Sequence, residues 1–124
     1  MQKRFLVAGA SFAGAAVALG AFGAHSLEHI LTEHNLKVFH TGVEYQFYHS
    51  FALLITGLLA GRNNSRFISW AGNLFITGIL FFSGSLYLLS IFESLHWAGI
   101  LTPLGGLCFL AGWVCLTISF VKGS

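Results

Sequence analysis

The residues best able to do chemistry in this 124-residue chain are gathered into a few short strings. Glu44, Tyr45, Gln46, Tyr48 and His49 form the densest, with His25, Glu28 and His29 before it and Ser83, Ser85, Tyr87 and Thr102 after it. An imidazole near a phenol and a carboxylate could pass a proton, orient a polar ligand or hold a metal. Tyr45 and His49 are four apart and share one face of a helix. The expected polar pocket therefore comprises His25, Glu44, Tyr45, Gln46, His49, Ser83, Tyr87 and Thr102. Two of these residues have plainer readings, which the sequence favours. His49 reads as a neutral histidine that bridges helices by hydrogen bonds. Glu44 reads as the far member of a capping box opened by Thr41.

Other chemistries find less support. His25 and His29 lie one helical turn apart and could join His40 or His49 around a metal, but the pattern has no HExxH and no cysteine partner. Neither metal, haem nor any other cofactor is expected. The chain has no aspartate and no glycine-rich phosphate loop, and no nucleophile stands beside a base, so it is not read as an enzyme. Its formal net charge of +2 comes from six scattered basic residues, which excludes a nucleic-acid surface. Cys108 and Cys115 lie two helical turns apart, about 10 Å, too far for a disulfide between them.

The elements that must position these groups follow from apolarity. Hydrophobic residues make up 56% of the chain and charged ones 8%. A soluble surface needs about 25% charged residues, so most of this surface must face lipid. The fold expected is an all-α membrane protein, a single domain over residues 1–124 forming a four-transmembrane-helix bundle. Its spans are placed at about 5–24, 42–61, 67–92 and 103–121, each near the twenty apolar residues that cross a bilayer. A cleaved signal peptide, with Gln2-Lys3-Arg4 as its basic start and Ala21-Phe22-Gly23 as its end, is the rival reading of the first run, whose length argues against it. Residues 25–41 are expected to form a short amphipathic helix on the membrane surface. Arg62-Asn63-Asn64-Ser65-Arg66 reads as a tight polar turn, and Thr102-Pro103 as a helix start, with a continuous helix from Trp97 as the alternative. Five of the six basic residues fall on one side of the bilayer if both termini are cytoplasmic, which is the orientation expected. Gly9, Ala13, Ala16, Gly20 and Ala24 make a small-residue stripe for close helix packing, within the bundle or with a second copy.

Four ordered strings carry a resemblance: Gly20-Ala21-Phe22-Gly23-Ala24-His25; Thr41-Gly42-Val43-Glu44-Tyr45-Gln46-Phe47-Tyr48-His49; Phe82-Ser83-Gly84-Ser85-Leu86-Tyr87; and Leu101-Thr102-Pro103-Leu104-Gly105-Gly106 with Gly112-Trp113. Together they resemble domain of unknown function family 423, which includes bacterial inner-membrane proteins and the eukaryotic transmembrane protein 256. The resemblance implies a compact four-span protein of the bacterial plasma (inner) membrane and brings no reaction, substrate or cofactor. The function expected is that of a structural or accessory membrane protein. Its partners are membrane lipid and a second copy or another membrane protein, with no nucleic acid. The alternatives are a small transporter or proton- or ion-translocating protein, and a binder of a lipophilic cofactor at a polar pocket around His49.

Overall fold

A computed structural model of the chain describes residues 2–62 and 65–122. Every regular element among them is helical. Four helices follow one another: α1 (Lys3–Leu27), α2 (Glu33–Leu59), α3 (Arg66–Ile91) and α4 (His96–Lys122). α1 contains a π-helical turn at Leu19–Gly23 and α3 another at Ile79–Ser83, while α4 opens with a 3-10 turn at His96–Ile100. By length and composition, α1, α3 and α4 are apolar enough to cross a membrane. α2 is as long, at 27 residues, but carries Glu44, Gln46, His49, Ser50 and Thr56, and it is not among them.

This most polar helix occupies the middle of the bundle. α2 packs along α1 on one side and α3 on the other, and α3 packs along α4. The buried positions of α2 include Phe39, Gly42, Gln46, His49, Leu53, Thr56 and Gly57. Steps of three and four residues place them in one stripe, as a helix of 3.6 residues per turn requires. Phe5, Leu53, Ala71, Phe75, Ile79, Phe109 and Leu116 form the apolar core that this stripe adjoins. The stripe of small residues on α1 is turned toward α2: Gly9 and Ala16 are buried, and Gly9 lies against the Ser50 carbonyl and the side chains of Leu53 and Leu54.

Two boundaries differ from the sequence expectation. No separate surface helix spans residues 25–41. His25 to Leu27 complete α1, and after a turn α2 begins at Glu33. Thr32 is its cap, accepting from the Asn35 N–H at 3.1 Å. The reason is the stripe itself: Phe39 is in register with Gly42 and Gln46, so burial continues through Thr41 without a break. Thr41 consequently caps nothing, and its hydroxyl donates to the Lys37 carbonyl at 3.0 Å within the helix. The expected Thr41–Glu44 capping box is absent. α4 likewise starts at His96 rather than at Thr102, with Pro103 in the first turn of its α-helical part, where a missing N–H is harmless. The polar turn expected at 62–66 includes Asn63 and Asn64, outside the described residues; Ser65 accepts from the Phe67 N–H at 3.2 Å and caps α3.

The closest approach of α3 and α4 depends on Gly105. A Cβ there would run into the backbone of Phe82, which cannot swing aside as a side chain can. Gly14 on α1 is the contrast, with no atom within 4 Å of its would-be Cβ. Gly105→Ala should therefore lower stability by about 1–3 kcal/mol through overpacking. Gly14→Ala should be neutral or stabilise by up to about 1 kcal/mol through helix propensity. Thermal unfolding of the two variants in one detergent checks the contrast.

Candidate functional site

The interior of the bundle holds polar side chains in a connected set. Among the described residues, no buried side-chain nitrogen or oxygen lacks a hydrogen-bond partner. Gln46 is the hub between three helices. Its Nε2 donates to the Phe12 carbonyl of α1 at 2.8 Å, and its Oε1 accepts from the Tyr87 hydroxyl of α3 at 2.6 Å. One turn earlier, Ser83, at the end of the π-helical turn in α3, donates to the Gly42 carbonyl at 2.7 Å. Gly42 permits this approach because a Cβ would stand 2.8 Å from the Tyr87 ring. Ser85 donates to the Phe82 carbonyl at 2.9 Å, so in its bond with Thr102 the threonine hydroxyl is the donor. This bond joins α3 to α4.

His49 links α2 to α4. Its Nδ1 lies 2.7 Å from the Tyr45 carbonyl, which only accepts, and its Nε2 lies 3.1 Å from the indole nitrogen of Trp113, which only donates. These partners define the tautomer: a neutral imidazole with the proton on Nδ1. Phe109 stacks on the ring at 3.5 Å between centroids and 9° between planes. Tyr45, Phe75 and Trp113 surround it at 5.7–6.2 Å. A second proton on Nε2 would point at the indole N–H, so the arrangement suits a fixed strut better than a proton relay.

Of the eight residues expected in one pocket, the structure brings Tyr45, Gln46, His49, Ser83, Tyr87 and Thr102 into this region. Glu44 is exposed on the surface of α2, 3.5 Å from the Tyr48 hydroxyl. His25 lies apart at the end of α1, its side chain 82% exposed and 3.8 Å from Glu28. Glu28 also meets His29 at 3.3 Å. Among the described residues no group of three histidine, cysteine or acidic side chains is placed to hold a metal. A cavity of about 350 Å³ in the same half of the molecule lies elsewhere, between His34, Asn35, Val38, Leu89, Glu93 and His96. Beside it Asn35 donates to Glu93, tying the start of α2 to the turn before α4.

Two partners of His49 were not among the expected site residues. Trp113 and Phe109 lie on a helix that the sequence anticipated but whose rotation it could not give. The Phe12 carbonyl is a backbone group, for which no residue type gives a signal.

The sequence profile described as protein of unknown function (DUF423) matches residues 19–106, which include Gln46, His49, Ser83, Tyr87 and Thr102. The chain belongs to the DUF423 family. It is 43% identical over 121 residues to a UPF0382 membrane protein of Staphylococcus aureus (strain bovine RF122 / ET3-1), covering 98% of each chain. It is 42% identical over 122 residues to the UPF0382 membrane protein YwdK of Bacillus subtilis (strain 168), again covering 98% of each. A UPF0382 membrane protein of Staphylococcus haemolyticus is 42% identical over the same extent as the first. No solved structure matches the chain. This DUF423 protein is thus an all-helical membrane protein whose relatives' names state no reaction.

The DUF423 interior makes a graded set of expectations. Gln46→Leu removes two interhelical bonds and leaves the Tyr87 hydroxyl against an alkyl chain, which should cost about 1–3 kcal/mol. Trp113→Phe removes one donor and should cost about 1 kcal/mol. Tyr87→Phe should cost less in the Gln46→Leu background than alone, a coupling that a double-mutant cycle in detergent measures.

Proposed function

We propose that this protein is an integral protein of the bacterial plasma membrane with a structural or accessory role. It crosses the bilayer four times with both termini in the cytoplasm, as one domain. The observation that carries this reading is the placement of α2. Averaged along its length, α2 is too polar for lipid, yet Gln46, His49, Ser50 and Thr56 are buried and bonded, while Phe51, Ile55 and Leu58 are exposed. A hydropathy average treats those inward polar groups as though they met hydrocarbon. Shielded by α1, α3 and α4, they do not, and α2 is a fourth span.

The orientation rests on charge. Lys3, Arg4, Arg62, Arg66 and Lys122 lie at the end of the bundle where the chain starts and finishes, and Lys37 is the one basic residue in the other half. The excess marks the cytoplasmic end. The non-catalytic role rests on the use already made of the chemically capable groups. The imidazole, phenol, amide and hydroxyls of the proposed site are committed to holding helices together, and membrane lipid and neighbouring membrane proteins are its partners.

Reporter fusions at the two termini should both register the cytoplasm, and cysteines placed at Ile30 or Ser94 should be labelled from outside. Opposite compartments for the two termini would end the four-span reading. In reconstituted vesicles the wild type and His49→Ala should give the same proton flux as empty vesicles. Flux that His49→Ala abolishes would replace the structural role with translocation.

A further inference from the structure

The basic end of the molecule holds a cation with no acidic side-chain partner among the described residues, beside an apolar groove. Arg4 of α1 donates from Nη1 to the Asn73 side-chain carbonyl at 2.6 Å, and its guanidinium carbon lies 4.5 Å from the Phe5 ring centroid. A neutral amide leaves the charge uncompensated, and a guanidinium has five N–H donors. The four acidic side chains of the chain are Glu28, Glu33, Glu44 and Glu93. Even Glu44 lies fifteen residues from Leu59 at the basic end of α2, about 22 Å along the axis at 1.5 Å per residue. No side-chain carboxylate therefore reaches Arg4.

Asn73 also lines a groove of about 280 Å³ on the outside of the bundle, with Trp70, Leu74, Thr77 and Cys115. Its polar tip is small, because Thr77 turns its hydroxyl to the Asn73 backbone carbonyl at 2.9 Å. At the mouth, Arg66 lies 5.4 Å over the Trp70 ring. From Trp70 to Thr77 the groove follows α3 for about 10 Å at 1.5 Å per residue, room for part of an acyl chain. Trp70 and Asn73 are neighbours on one face of α3, so the two guanidinium groups lie along that face at the head of an apolar trough that runs from Trp70 to Thr77.

We propose that this groove is a binding site for an anionic phospholipid, with the phosphate on Arg4 and Arg66 and one acyl chain along Trp70, Leu74, Thr77 and Cys115. Charge complementarity selects the occupant. A zwitterionic lipid carries its own cation to a place that already has two, whereas an anionic headgroup supplies a countercharge that no glutamate side chain brings to Arg4. The inference rests on the chain crossing the bilayer, as proposed above.

The test is native mass spectrometry of the full chain from mild detergent, with phosphatidylglycerol and phosphatidylcholine of identical acyl chains. The wild type should retain one phosphatidylglycerol in preference to phosphatidylcholine. Arg4→Gln combined with Arg66→Gln should weaken that retention about tenfold or more, Arg4→Lys should keep most of it, and Lys37→Gln at the far end should leave it unchanged. Equal retention of the two lipids, an unaffected double variant, or displacement by inorganic phosphate at millimolar concentration would each overturn the proposal. Membrane extraction of every variant is followed in parallel. A variant that stays in the membrane without lipid preference counts against this site alone, and a wild type that leaves the membrane in carbonate counts against the spanning reading itself.

Discussion

A polar side chain withdrawn from water must find its partner within the protein. Where the surroundings are hydrocarbon, this rule leaves little choice. The rest of this bundle is arranged around it. α2 carries the groups that hydrocarbon would tolerate least, so it lies between its neighbours. Gln46, Ser83, Thr102 and His49 each bond to another helix. Apolar attraction does not favour one helix contact over a lipid contact, since lipid tails are as apolar as leucine. The hydrogen bonds and the close contacts at Gly9, Gly42 and Gly105 therefore decide which helix faces which. The aromatic rings stacked about His49 add shape to that choice.

The helices of the long uncharged runs, α1, α3 and α4, were legible because such runs leave a backbone no alternative to satisfying itself. The finer boundaries were not. Thr41-Gly-Val-Glu44 has the lettering of a capping box, but the buried stripe from Phe39 through Gln46 to His49 crosses it, and tertiary burial outweighs a local motif. His25 sits beside the site residues in sequence reading because it closes the first apolar run. The rotation of α1 turns it outward to Glu28. The partner of His49 is 64 residues away, and nothing in spacing alone reports how two helices are rotated against each other. Gln46 was expected as a polar site residue, but its partner in α1 is a carbonyl that any residue at position 12 would supply.

The same accounting explains why α1, α3 and α4 are apolar enough to cross a membrane and α2, by its average, is not. α1, α3 and α4 show lipid-compatible residues over much of their circumference, and α2 shows them on one narrow face. The division of charge runs along the other axis, with every arginine and lysine but Lys37 toward the end of the termini and the four glutamates in the opposite half. Relatives at 42–43% identity over almost the whole chain share the description of membrane protein.

The sequence positions of the Gln46 and His49 partners also set an order in time. When α2 leaves the ribosome, of these partners only the Phe12 carbonyl and the Tyr45 carbonyl have been made. Tyr87 follows Gln46 by 41 residues and Trp113 follows His49 by 64. At synthesis rates of about 5–20 residues per second, the later partner arrives roughly 3–13 s after the histidine it must meet. Until Tyr87 is made, Gln46 lacks its bond to α3, and until Trp113 is made, His49 lacks its bond to α4. The polar stripe of α2 is therefore complete only when the second half of the chain has closed around it.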